Sequence, residues 1–175
     1  MQTEERVTGN DVKAGGAKEG KYLTFELCGE EYGVEILKVK EIIGIMNITP
    51  VPQTPEFVKG VINLRGKVIP VIDLRLKFGM ERQEYDERTC IIVIDIPDER
   101  GKRIMTGIVV DSVSEVLNVR NEDVEDTPSF GARLSTGFIM GMAKIKDDVK
   151  ILLDIDRVMA ADEVAAIGAL SRQQH

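Results

Sequence analysis

The chain has one histidine, His175, and it is the last of 175 residues. A terminal side chain is usually frayed. Histidine acid–base catalysis, Ser-His-Asp and Cys-His nucleophile pairs and histidine metal sites are therefore all disfavoured. Cysteine is scarce too: Cys28 and Cys90 stand alone, with no Cys-x-x-Cys. Two thiols without histidine cannot complete a zinc site. Their apolar, strand-like surroundings predict small buried hydrophobes in a reducing compartment, with no nucleophilic or disulfide role. Long apolar runs are missing. The longest strong one, Ile91–Ile96, is interrupted by Asp95 and falls far short of the roughly 18 residues of a membrane helix. The opening Met-Gln-Thr-Glu-Glu lacks the basic and apolar regions of a signal peptide, so the expected location is the cytoplasm. Basic residues are outnumbered 23 to 30, a net charge of −7, which disfavours nucleic acid and anionic membranes as partners. No catalytic residue, metal or cofactor is predicted.

Trp is absent and aromatics are 5 %, whereas valine and isoleucine each number 19. That balance favours sheet with a core of interlocking branched side chains. Residues 1–20 carry almost nothing apolar and read as a disordered arm. Gly15-x4-Gly20-Lys21 has the spacing of a phosphate loop. It lacks the preceding strand, the following helix and the Ser/Thr, whose place Tyr22 takes. Asn47-Ile48-Thr49 forms a glycosylation sequon with nothing to suggest secretion.

The chain repeats itself. Phe57–Leu74 aligns with Phe138–Ile155 at an offset of 81, with Phe57/Phe138, Gly60/Gly141, Val68/Val149 and Asp73/Asp154 identical. Tyr32–Ile45 aligns with Thr106–Val119 at an offset of 74, with Gly33/Gly107, Val39/Val113 and Glu41/Glu115 identical. The difference between the offsets predicts a second-copy loop seven residues longer, within 121–137. Each copy reads as short strands joined by turns, including hairpins at Arg65-Gly66 and Lys146–Asp148. Pro70 predicts an edge strand or a bulge. Asp73 and Asp154 precede helix-like stretches and are predicted to cap them.

About five short strands per unit indicate small barrels, and a barrel of about 60 residues is marginal alone. The fold class predicted is all-β: two five-stranded barrel subdomains related by internal duplication, with short helices and a C-terminal helix. In chain order the first barrel spans about 21–80, the second about 88–154, and the helix about 155–171. Two barrels side by side would share a continuous core, and their junction would form a groove.

Several runs then form one pattern. They are Glu31-Tyr32-Gly33, Leu37-Lys38-Val39-x-Glu41-Ile42, Thr49-Pro50-Val51-Pro52, Gly60-Val61-Ile62-Asn63-Leu64-Arg65-Gly66 and Val68-Ile69-Pro70-Val71-Ile72-Asp73-Leu74. With Gly107–Asp111 and Val113-x-Glu115-Val116-Leu117, the set closely resembles the bacterial chemotaxis coupling protein family (CheW-like). The resemblance runs over about 21–160. It implies SH3-like barrels and a non-enzymatic adaptor joining the cytoplasmic tips of methyl-accepting chemoreceptors to the regulatory domain of the chemotaxis histidine kinase. It also implies recruitment from the cytoplasm to membrane-bound receptor clusters, without membrane insertion.

By the same resemblance, Val39, Glu41, Gly60, Asn63, Arg65 and Gly66 lie on the receptor surface, on the first barrel and the groove between barrels. Val39 would supply apolar contact, Glu41 a rim charge, Gly60 close approach, and Arg65 a bidentate contact or a brace for its turn. Lys146, the repeat's counterpart of Arg65, lacks the planar fork. Cys90 and Ile91, on the second barrel, are the residues implied for kinase contact, though their strand pattern also fits core burial. Two other classes compete. An enzyme would use carboxylates among Asp95, Asp98, Glu99, Asp111, Glu122 and Asp123. A small-ligand module would use the groove.

Overall fold

A computed structural model describes residues 19–98, 100–127 and 137–159. Residues 1–18 of the expected arm and nearly all of the expected C-terminal helix lie outside the described residues, and Gly20, the last residue expected in the arm, opens the first strand. Of that helix, only the turn Ile155–Val158 is described.

Among the described residues, the alternation of apolar and polar residues resolves into eleven strands. They are β1 Gly20–Leu27, β2 Glu30–Glu35, β3 Val39–Gly44, β4 Val58–Leu64, β5 Lys67–Asp73, β6 Cys90–Pro97, β7 Arg103–Val110, β8 Ser112–Val119, β9 Val124–Glu125, β10 Ile139–Ile145 and β11 Asp148–Leu153. They form two sheets, ordered β8-β1-β2-β11-β10-β9 and β3-β6-β7-β5-β4. The predicted fold class holds: all-β, two small subdomains, short helices. The short β9 is a sixth strand in one sheet.

The sheets do not follow the chain order predicted for the barrels. β1 and β2, from the first half, pair with β8 and β11 of the second. β6 and β7, from the second half, pair with β3 and β5 of the first. Each barrel therefore takes two strands from one copy of the repeat and the rest from the other. Two parallel ladders carry the exchange: Val71↔Gly107 in one barrel and Leu152↔Gly33 in the other. These pairs are related by the same offsets, 81 and 74, that relate the sequence blocks. The bulges repeat as well, between Val58 and Gly60 in β4 and between Ile139 and Gly141 in β10. So do the positive φ angles of Arg65 (52°) and Lys146 (59°).

Burial explains the rich supply of Val and Ile. One cluster fills the five-stranded barrel, with Ile62, Leu64, Ile69, Val71, Ile91, Val93 and Val109. Another, with Tyr22, Val119, Met140, Ala143 and Leu152, lines the other sheet. The largest joins the two sheets, drawing Leu23, Phe25 and Leu27 together with Ile92, Ile94, Ile96, Leu153 and Ile155. β6 thus buries both faces, which accounts for its unbroken Ile-Ile-Val-Ile. Each such side chain contributes about 1.5–3 kcal/mol by leaving water. Pro70 lies in β5, an interior strand with no bulge at that residue, contrary to expectation. It is accommodated because the ladder to β7 begins one residue later, at Val71.

Both predicted caps form. The Asp73 carboxylate accepts from the backbone N–H groups of Arg75 and Leu76, and that of Asp154 from Arg157. Asp73 N–H donates to the Phe57 carbonyl and Asp154 N–H to that of Phe138, again the same contact in both copies.

Candidate functional site

Of the residues implied for the receptor surface, Glu41, Asn63, Arg65 and Gly66 come together at the β4–β5 turn of the five-stranded barrel. β3 and β4 are the two edges of that sheet, and the β4–β5 hairpin turns at Arg65 and Gly66, with φ of 52° and 88°. Positive φ at both central residues is the two-residue turn that matches strand twist. The Asn63 side-chain oxygen accepts from the Gly66 N–H at 2.8 Å and braces it. Held in this way, the Arg65 guanidinium donates to both carboxylate oxygens of Glu41 on β3, at 3.0 and 2.5 Å. The fork closes the seam between the sheet's edges. It lowers the Glu41 carboxyl below the ordinary range, chiefly through its hydrogen bonds. Arg65 keeps 68 % of its side chain exposed and Glu41 29 %, so the clamp is a surface feature. Ile42 and Val68, on the same elements, are exposed apolar side chains.

Gly60 and Val39 play inward parts. Gly60 has φ +140°, and a Cβ there would stand 1.9 Å from the Thr49 carbonyl oxygen. It permits close approach of the chain's own Thr49–Pro50 segment, which pairs with Val61 through two hydrogen bonds of 2.8 and 2.9 Å. Val39 is half-buried and packs against the core between the sheets.

The two residues implied for kinase contact differ in burial. Ile91 is fully buried inside the five-stranded barrel and has no surface to offer a partner. Cys90 is half-buried, opposite Gly44 of β3, in the same sheet as Arg65, because the copies exchange strands. Cys28 is exposed, where burial was expected. Partial desolvation and neighbouring Asp111 push its thiol pKa up, which keeps it protonated and weakly nucleophilic.

A recess lies where residues of the two sheets meet. About 300 Å³ in volume, it is lined by charged and polar groups including Glu26, Arg75, Gln83, Arg88 and Asp111. Arg75 is buried there, within 3.2 Å of Asp111 and donating to Gln83 Oε1 at 3.0 Å.

The carboxylates weighed for an enzyme are engaged structurally. Asp95 pairs with Lys40 and Arg103. Asp98 accepts from the N–H groups of Arg100 and Lys102. Asp111 accepts from the Cys28 N–H. Glu122 and Asp123 pair with Arg120, and Glu99 lies outside the described residues. Among the described residues no cluster of three or more His, Cys, Asp or Glu could hold a metal. No helix among them is long and apolar enough to cross a membrane.

Sequence reasoning did not find the exposed apolar residues Leu37, Val116 and Val149. The repeat carried a signal for two of them: Val116 is the counterpart of Ile42, and Val149 that of Val68.

Residues 21–163 match the family model for the CheW-like domain. Chemotaxis protein CheW of Klebsiella aerogenes is 40 % identical over 152 residues, covering 87 % of this chain and 89 % of that protein. Chemotaxis protein CheW of Rhizobium meliloti is 34 % identical over 141 residues, covering 81 % and 88 %. The crystal structure of the scaffolding protein TtCheW from Thermoanaerobacter tengcongensis matches with a TM-score of 0.71 and 34 % identity, over 83 % of this chain and 95 % of that one.

Proposed function

The chain belongs to the CheW-like family of chemotaxis scaffold proteins, which are not enzymes, and from that premise we propose that it joins chemoreceptor tips to the chemotaxis histidine kinase. The observation that carries this reading is the exposed Arg65–Glu41 clamp, on a barrel whose strands β3 and β5 also expose the apolar side chains of Ile42 and Val68. A receptor tip is a helical hairpin, and a helix face docks on apolar contacts bordered by fixed polar groups. The clamp holds a planar cation and a carboxylate rigidly at such a border, so little side-chain entropy is lost on docking. Asn63 and Gly66 hold the turn. Gly60 and Val39 hold the edge of the barrel from within.

For the kinase's regulatory domain, a like barrel stacked on this one is the proposed contact. Cys90 is the remaining candidate of the two implied. The protein works in the cytoplasm and is recruited to receptor clusters by these contacts. Sedimenting receptor-bearing membranes with purified kinase tests the reading. Kinase is expected in the pellet only when the full chain is present. Kinase that pellets equally without it contradicts the reading.

A further inference from the structure

Strand exchange raises a question of specificity. Either copy of the repeat has the pattern of a complete barrel, so β5 has two parallel partners to choose from: β7, which it takes, and β2. The same holds for β11, which takes β2 over β7. The core patterns of β2 and β7 are alike, with Gly33 and Gly107 at matching positions in the two ladders. Apolar burial alone distinguishes them poorly.

Charge distinguishes them. The residue two places after the capping aspartate is Arg75 in one copy and Asp156 in the other, related by the offset of 81. Arg75 meets Asp111 at 3.2 Å, just past the end of β7. Asp156 meets Lys38 at 2.8 Å, just past the end of β2. The offset of 74 relates Asp111 to Leu37, the immediate neighbour of Lys38. The two locks thus occupy matching places with their charges reversed. In barrels closed without exchange, Arg75 would face Lys38 and Asp156 would face Asp111. Both contacts would then be between like charges, one of them involving the nearly buried Arg75, where repulsion is least screened.

We propose that the reversed charges of Arg75–Asp111 and Lys38–Asp156 select the exchanged strand pairing and reject barrels closed within each copy. This is discrimination by repulsion in the alternative, as charged positions select partners in other repetitive structures.

The Lys38–Asp156 lock is partly exposed and open to substitution. The variant Lys38→Asp/Asp156→Lys keeps an ion pair in the exchanged fold. It also makes both contacts of the unexchanged alternative attractive. The variant Lys38→Ala/Asp156→Ala removes the native pair without adding attraction to the alternative. Each full chain is unfolded in guanidinium and refolded by dilution, and the native fraction is read from its two-dimensional amide NMR spectrum. The expected result is a several-fold larger non-native fraction in the charge-exchanged variant than in the alanine variant. Equal native fractions in the two, or a larger loss in the alanine variant, overturn the proposal.

Discussion

Arg65 and Glu41 face each other through two hydrogen bonds across the seam of the five-stranded barrel, although 24 residues separate them in the chain. Both side chains reach solvent, so the pair adds little to folding. Arg65→Glu should leave thermal unfolding nearly unchanged and weaken receptor association roughly tenfold or more. Adding Glu41→Arg restores the opposite charges. Recovery of binding in the double variant assigns the effect to the clamp; continued loss assigns it to direct contact by the Arg65 cation. A single variant that melts far below wild type would make Arg65 a structural brace instead.

Gly60→Ala combines a positive φ with a Cβ only 1.9 Å from the Thr49 carbonyl oxygen. It should destabilise by more than about 2 kcal/mol, measured by denaturant unfolding. Gly44→Ala meets nothing within 4 Å and should be nearly neutral.

The two capping aspartates share a place in the repeat but not an environment. Asp73 is buried, accepts the Tyr85 hydroxyl at 2.8 Å and lies 3.6 Å from Arg75. Burial and the bond to Asp73 push the Tyr85 hydroxyl pKa well up, so it remains a donor. Asp73→Ala should cost about 2–4 kcal/mol through lost cap, lost acceptor and a less compensated Arg75. Asp154→Ala should cost about 1 kcal/mol. Equal losses in chemical denaturation would contradict the account.

Glu31 accepts from Lys150 at 2.6 Å and from Ser114 at 3.0 Å, joining β2, β11 and β8. These bonds, Lys150 foremost, hold its carboxyl pKa below the ordinary value. A lowered folded-state pKa stabilises above the unfolded value, near 4.5, and that stability is lost as pH falls through the folded value. Glu31→Gln should therefore lower stability at neutral pH and flatten its fall below about pH 5. An unaltered acid limb of the stability curve counts against the bridge.

Exchange of strands makes the two barrels one folding unit. Thermal unfolding followed by circular dichroism and by NMR should coincide in a single transition. A fragment ending before β6 should remain unfolded alone and gain structure when mixed with the complementary fragment. A fragment that folds by itself would contradict the topology.

Much of this was legible in the sequence. Identities at Gly33/Gly107 and Asp73/Asp154 disclosed the duplication, and strand alternation disclosed the barrels. The caps followed from aspartate before a helical turn. The exchange was not legible, because β2 and β7 carry the same apolar period and local pattern does not state which β5 will choose. The lock Lys38–Asp156 spans 118 positions, beyond any local signal. Ile91 read equally as surface and core, since β6 buries both faces and shows no alternation. For Gly60, the contact with Thr49–Pro50 was not legible, because no local pattern states which distant segment a strand glycine will meet.

The most direct test of the coupling role is amide chemical-shift mapping of the full chain with a receptor-tip helical hairpin fragment, then with the kinase regulatory domain. Saturable shifts from the tip are expected, centred on Glu41, Ile42, Asn63, Arg65 and Gly66, with the tip still bound after the kinase domain is added. No shifts from the tip, shifts confined to the other barrel, or displacement of the tip by the kinase domain would contradict the coupling role.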